Sequence, residues 1–239
     1  MLNFFDLEQI AFEMWGYSMS YLELVGTLTG YLAIGLAARA NVWNWPIGLV
    51  NVILFFFLFY QVQLYPDMLL QVFFFITNLI GWWRWTHPNR DEEDVNHELK
   101  ISFMKRKHWV SLIIFGGLGT VLLGSLAGRF HLIFPQIFNI PSAFPFLDSF
   151  VTVMSILTTF LVVQKKIESW GIWIVVDLVA ASLYFMKEIK FVGIQYGIYA
   201  LMAAYGWWHW RKAYKSYSRP WHAMPPISES AGGGIHESI

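Results

Sequence analysis

Gly81-Trp82-Trp83-Arg84-Trp85 returns 125 residues later as Gly206-Trp207-Trp208-His209-Trp210. Other positions match at the same offset: Leu22 with Leu147, Glu23 with Asp148, Thr27 with Thr152, and Trp45 with Trp170. One Trp match means little in a chain with 13 Trp, but a five-residue near-identity inside a constant offset means much more. Residues 22–85 and 147–210 therefore read as two copies of one unit.

Apolar stretches long enough to cross a bilayer tell what the unit is, since a spanning helix needs roughly 20 apolar residues. Seven such stretches are expected, at 21–38, 44–60, 66–86, 109–127, 147–164, 170–187 and 191–211. The first three fall in one copy and the last three in the other. Polar residues 87–108, with the acidic run Asp91-Glu92-Glu93-Asp94, read as a solvated linker ahead of span 109–127. A loop with Pro135, Pro141 and Pro145 follows that span.

Composition agrees with a membrane protein. Of 239 residues, 56% are hydrophobic and 13% charged, against about 25% charged in ordinary soluble domains. Aromatic residues make up 19%, more large apolar surface than a soluble exterior can carry. A soluble enzyme, a disordered chain and a nucleic-acid binder are excluded; the formal net charge of zero leaves no basic footprint. No cysteine is present, so there is no disulfide or thiolate metal site, and no His pair has metal-ligand spacing.

Charge gives orientation. Lys and Arg concentrate on cytoplasmic loops. Thirteen of the 16 lie after spans one, three and five or in the tail; only Arg129, Lys187 and Lys190 lie on the other side. The amino terminus is expected outside and the carboxyl terminus inside. Both copies then start outside and run parallel, which requires an odd number of spans between them, and span 109–127 is that linker helix. The expected fold is an all-α integral membrane protein with a 3+1+3 arrangement. Its parts are an interfacial segment 1–20, repeat 21–86, a connecting region 87–146, repeat 147–211, and a disordered tail 212–239. The first segment carries Asp6, Glu8 and Glu13 without Lys or Arg, unlike a cleaved signal. Parallel repeats are one way to build a transporter with its substrate near the midplane.

Polar groups at membrane depth are the site candidates. Asp177 lies near mid-membrane, where a carboxylate is costly unless it faces protein or water. Trp173 is one helical turn away on the same face, and Trp170 one further. Asn51 stands at the equivalent depth of the second span, one position off the strict offset. Gln71 and Asn78 share a face of the third span, and Tyr196 matches Gln71 at offset 125. Gln71 and Asn78 can equally be hydrogen-bond glue between helices. Trp45 and Trp170 can equally belong to an interfacial belt, and Asp148 and Glu23 can be helix caps. Trp45, Trp170, Asp148 and Phe75 are secondary or gating candidates. No nucleophile set, phosphate loop or ATP motif occurs, so an enzyme is not expected and no cofactor is implied.

Gly48-Leu49-Val50-Asn51, Gln63-Leu64-Tyr65, Leu70-Gln71-Val72-Phe73-Phe74-Phe75, Phe144-Pro145-Phe146-x-Asp148-Ser149 and Trp170-x-x-Trp173-x-x-x-Asp177 together resemble the PnuC family of bacterial vitamin transporters over about 21–211. The resemblance implies facilitated uptake of nicotinamide riboside across the inner membrane. It also implies a SWEET-like helix arrangement, a homotrimer, and trapping of substrate by a cytoplasmic riboside kinase. Relatives carry thiamine or riboflavin, so another vitamin is the alternative; a sensor or scaffold subunit is a further one. The chemistry agrees: nicotinamide riboside is a planar cation on a sugar, and an indole face attracts such a cation by about 0.5–2 kcal/mol. Amides and carboxylates can bond its hydroxyls and carboxamide.

Overall fold

A computed structural model describes residues 9–14, 16–62, 65–94, 97–133 and 143–217. Two short strands, β1 (Ile10–Met14) and β2 (Tyr17–Ser20), form an antiparallel hairpin. The helices follow: α1 (Tyr21–Ala38), α2 (Asn44–Gln61), α3 (Tyr65–Thr86), α4 (Arg106–Ala127), the four-residue α5 (Phe130–Ile133), α6 (Pro145–Val163), α7 (Glu168–Met186) and α8 (Lys190–Tyr217). Seven long helices thus stand close to where the apolar stretches are. Five of them, α1, α2, α4, α6 and α7, are long and apolar enough to cross a membrane. The other two, α3 and α8, are the helices that carry the Gly-Trp-Trp motifs.

Local chemistry fixes several boundaries. Ser20 caps α1, its hydroxyl accepting from the Glu23 amide at 3.2 Å. Pro145 occupies the first turn of α6, where its missing N–H costs nothing. Helix α1 ends in a Schellman motif: Ala40 N–H donates to Ala37 at 2.8 Å and Asn41 N–H to Leu36 at 3.0 Å. Helix α6 ends the same way 125 residues on, with Lys165 N–H to Val162 at 2.8 Å and Lys166 N–H to Leu161 at 2.9 Å. Ala40 and Lys165 both take a left-handed backbone, φ 56° and 53°, although neither is glycine.

Helices α1, α2, α3, α6, α7 and α8 form a closed ring in which each packs on the next, with α8 returning to α1. Helix α4 stands outside, against α6. One end of the ring is held by four indoles. Trp45 meets Trp85 edge to face at 5.1 Å, Trp170 meets Trp210 likewise at 5.4 Å, and Trp85 meets Trp210 at 5.9 Å. Trp85 and Trp210 have no exposed surface. Each donates its indole N–H across the ring to the carbonyl that closes a Schellman motif: Trp85 to Val162 at 3.2 Å, Trp210 to Ala37 at 3.0 Å. Those acceptors are themselves 125 residues apart.

Glycine is required where the rings press on the neighbouring helix. A Cβ on Gly81 would lie 2.2–2.5 Å from the Trp45 ring, and one on Gly206 would lie 2.6–2.7 Å from the Trp170 ring. The Gly-Trp-Trp repeat is therefore a packing device: the glycine receives one indole and the fourth residue after it supplies another.

Three expectations change. The run 91–94 is folded rather than a free linker. The Asn89 amide and Arg84 bind Glu92, Asp94 accepts from the Glu98 amide, and Leu99 and Ile101 are buried against the tryptophans. These apolar residues drive it, since leaving them in water would expose a contiguous patch. Helix α8 continues six residues past 211, to Tyr217, where Tyr214 packs on Phe103 of this loop at 4.8 Å. Strands β1 and β2 form a hairpin, and Tyr17 stacks on Phe191 of α8 at 5.1 Å while its hydroxyl donates to Glu23 of α1. Residues 1–8 and 15 of the amino-terminal segment, Gln63 and Leu64 of the second family motif, 134–142 of the proline loop, and 218–239 of the tail lie outside the described residues.

Candidate functional site

Asp177 sits in the middle of α7 with 4% of its surface exposed. No hydrogen bond from another described residue reaches its carboxylate. A buried carboxylate without a partner is destabilising by several kcal/mol, which makes a binding role the more economical explanation of its presence.

The group it acts on electrostatically is Tyr199 of α8. Tyr199 lies within reach of the charges of both Asp177 and Tyr31. Its hydroxyl accepts from the Gln195 amide at 2.9 Å, one turn back on α8. Its ring meets Tyr31 of α1 at 5.3 Å and Tyr196 at 5.8 Å. Asn51 of α2 arrives at the same place: a Cβ on Gly30 of α1 would stand 3.1 Å from the Asn51 amide nitrogen and 3.6 Å from the Tyr199 hydroxyl. Asn51 donates to the Gly26 carbonyl at 2.7 Å, so its amide is oriented by α1 and its oxygen remains an acceptor. Helices α1, α2, α7 and α8 thus converge on one cluster of amide, phenol and carboxylate.

An aromatic and ionic path runs from this cluster to the hairpin end of the ring. Tyr196 stacks on Tyr184 of α7 at 5.4 Å with an interplanar angle of 10°. Lys187 lies over the Tyr184 ring at 5.7 Å and donates to both oxygens of Asp148, at 2.7 and 3.0 Å.

The sequence candidates divide accordingly. Asp177, Asn51 and Tyr196 belong to the cluster or to its aromatic wall. Trp173 is partly buried between two apolar clusters of the core, one turn from Asp177. Asn78 lies against Gly48 of α2 and donates back to Phe74 at 2.8 Å, a helix-packing position. Gln71 and Phe75 line a groove of about 310 Å³ between α2 and α3 with Val52, Ile53, Phe56, Phe57 and Val72. Trp45 and Trp170 are buried in the tryptophan end, and their indole N–H groups have no acceptor among the described residues. Asp148 is the ion-pair partner of Lys187. Tyr199, Gln195 and Tyr31 were not singled out in the sequence. The signal available was the i, i+4 spacing of Gln195 and Tyr199, which places both on one face of α8.

A ring of apolar helices with a buried acid and phenols at its middle is the architecture of a multi-pass membrane protein with a polar interior, and the comparisons with known proteins make it a transporter. A family model described as nicotinamide mononucleotide transporter matches residues 20–212. The nicotinamide riboside transporter PnuC of Escherichia coli (strain K12) is 31% identical over 226 residues, covering 86% of this chain and 92% of that one. The riboflavin/roseoflavin transporter RibM of Streptomyces davaonensis is 24% identical over 214 residues, covering 90% of this chain and 95% of that one. A crystal structure of the vitamin B3 transporter PnuC superposes with a TM-score of 0.61 at 23% identity, covering 83% of each chain; at that identity the likeness concerns the fold. The chain belongs to the PnuC family.

Proposed function

We propose that this protein imports nicotinamide riboside across the bacterial inner membrane by facilitated diffusion, the substrate binding mid-membrane between two parallel three-helix repeats. The observation that carries the reading is Asp177, a buried carboxylate without a hydrogen-bond partner among the described residues, at the centre of α7 and within electrostatic reach of Tyr199, where phenols and an amide of α1, α2 and α8 gather. Such a group answers a cationic sugar-bearing ligand: the acid and Asn51 suit ribose hydroxyls and carboxamide, and Trp173, one turn away, suits the pyridinium face. The Asp148–Lys187–Tyr184–Tyr196 series is a route from the hairpin end to that cluster. Relatives named as nicotinamide riboside transporters support the substrate.

In this reading all seven long helices cross the bilayer, α4 is the inverting linker, the amino terminus is outside and the carboxyl terminus cytoplasmic. The recurrence of the Schellman ends, the indole donors and the glycine contacts at offset 125 supports the repeats. The protein works as a homotrimer, and a cytoplasmic riboside kinase makes uptake unidirectional by phosphorylating what enters.

Proteoliposomes test the proposal. Labelled nicotinamide riboside should equilibrate with the lumen and not rise above the outside concentration. Accumulation that collapses with a proton or sodium ionophore would overturn passive transport. Riboflavin is the second reading, favoured by the RibM relative; competition by unlabelled riboflavin or thiamine stronger than by nicotinamide riboside would replace the substrate while leaving the fold reading intact.

A further inference from the structure

Where the ring closes, α8 of one half packs on α1 of the other, and three contacts stitch this seam in register. At the tryptophan end, the Trp210 indole N–H donates to the Ala37 carbonyl at 3.0 Å. Midway, Tyr199 meets Tyr31 at 5.3 Å. At the far end the hairpin supplies the third contact. Tyr17 of β2 stacks on Phe191 of α8 at 5.1 Å with an interplanar angle of 10°, and its hydroxyl donates to Glu23 of α1. Glu23 and Tyr31 are eight residues apart, as are Phe191 and Tyr199, so the hairpin contact stands about 12 Å along both helices from the tyrosine pair.

The two ends of the seam are closed unequally. Trp210 has no exposed surface and is locked among other indoles. Tyr17 is a half-buried phenol carried on a ribbon whose other strand exposes Ile10 and Phe12. That ribbon runs directly into α1 and is tied to its start, where Tyr21 N–H donates to the Gln9 carbonyl at 3.2 Å and Met19 and Ser20 are buried. Helices α1 and α8 can therefore part at this end by losing the Phe191 stack, while the hairpin moves with α1. A two-stranded hairpin is marginally stable by itself, and elements that move are drawn from the least stable parts of a fold. The tryptophan end offers no comparable weak point, because opening it would unpack buried indoles.

We propose that the hairpin is a strap and Tyr17 its gating residue. While Tyr17 bridges Glu23 and Phe191, the α1–α8 seam is shut at that end. Its release opens a way along the seam to Tyr31, Tyr199 and the Asp177 cluster. This rests on the reading that the substrate binds at Asp177, and it holds for whichever vitamin is carried.

The chain has no cysteine, so single thiols report on the opening without background. Thr27 is buried on α1, one turn from both Glu23 and Tyr31 and on their face. In detergent, Thr27→Cys should react slowly with a charged maleimide. Adding Tyr17→Ala should raise the rate at least tenfold, because it removes both an aromatic pair and a hydrogen bond. Phe191→Ala should also raise it, and Tyr17→Phe should raise it less than Tyr17→Ala, since the stack remains. Ser169→Cys, a near-isosteric thiol with no exposed surface at the tryptophan end, reads general unfolding and should stay unreactive in the Tyr17→Ala background. An unchanged Thr27→Cys rate in Tyr17→Ala, or an equal acceleration at Ser169→Cys, would overturn the strap. The labelling uses no transported substrate. Failure of Asp177→Ala to weaken nicotinamide riboside binding would remove the site without altering these rates, so the two readings fail separately.

Discussion

The two halves of the ring agree at one end and differ at the middle. At the tryptophan end, position after position repeats at offset 125: Schellman carbonyls Ala37 and Val162, left-handed residues Ala40 and Lys165, donors Trp85 and Trp210, and the indole-on-glycine contacts of Trp45 with Gly81 and Trp170 with Gly206. At the middle, Asp177 has only Asn51 near its equivalent place, and Tyr199 faces Phe74 across the offset. Even within the matched end, a buried Lys165 stands where the other half has Ala40. Its ammonium lies 4.4 Å from the Trp85 ring centre and 3.3 Å from Glu98. Packing duplicates because geometry alone decides it. Binding a ligand without two-fold symmetry requires the halves to diverge.

The comparison can be broken most severely at the matched end. Gly81→Ala and Gly206→Ala each drive a methyl into an indole that the tryptophan cluster keeps from moving. Each should destabilise by about 3 kcal/mol, at the upper end of overpacking costs, measured as thermal unfolding in detergent. Gly197→Ala, with no atom within 4 Å of the added carbon, is the control that should unfold normally. Near-native stability of both first variants would mean that the two halves are not held by these contacts.

At the divergent middle, Asp177→Ala should weaken nicotinamide riboside binding by about 1.5–3 kcal/mol, the worth of a hydrogen bond to a charged group. Asp177→Asn should keep most affinity, since an amide oxygen still accepts, and it would make this half resemble the Asn51 half. Equal losses in the two variants would show instead that the charge is needed. Calorimetry on purified protein separates the cases.

Trp173→Ala should cost about 1–3 kcal/mol of affinity by analogy with base–aromatic stacking, and Trp173→Phe less. Ligand-dependent indole fluorescence should fall in both. Trp83, 66% exposed and stacked on His87 at 3.8 Å, provides the control: Trp83→Phe should bind normally. A Trp173→Ala variant that folds and binds like wild type would make this indole packing alone.

The smallest effect concerns the odd lysine. Burial pushes Lys165 below the ordinary lysine range, and Glu98 opposes that shift. Lys165→Met should stay within about 1 kcal/mol of wild type, because apolar replacements of buried charges are often neutral and Ala40 shows the turn folding around an apolar side chain. Glu98→Ala should cost more, as it strands the buried ammonium. The opposite order in unfolding experiments would mean that the ion pair, not the packing, holds this turn.

How much was legible followed the range of each interaction. Helix positions came from runs of apolar residues, a local property of the chain. They fell within a few residues of the structure, apart from the end of α8, which Tyr214 extends by docking on a distant loop. Asp177 stood out because one carboxylate in an apolar run is visible without knowing its neighbours. Tyr199 did not, because a tyrosine among eleven says nothing until α1 and α2 bring Tyr31 and Asn51 to it. Gln71 and Asn78 were read on a common face of α3, and they are; which neighbour that face meets is decided by ring closure, and it meets α2.

The sequence by itself determined a membrane-embedded helical chain with a repeat at offset 125, a buried acid and family membership, because hydropathy, periodicity and motif identity are written residue by residue. The tertiary structure decided what the repeat is for. Only when six helices close into a ring do Trp85 and Trp210 find carbonyls in the opposite half, do Leu99 and Ile101 find a core to bury in, and does Asn51 of α2 come to Tyr199 of α8. Each of those contacts joins residues at least 14 positions apart and most join different helices, and the entropy of bringing them together is offset only when the whole ring forms.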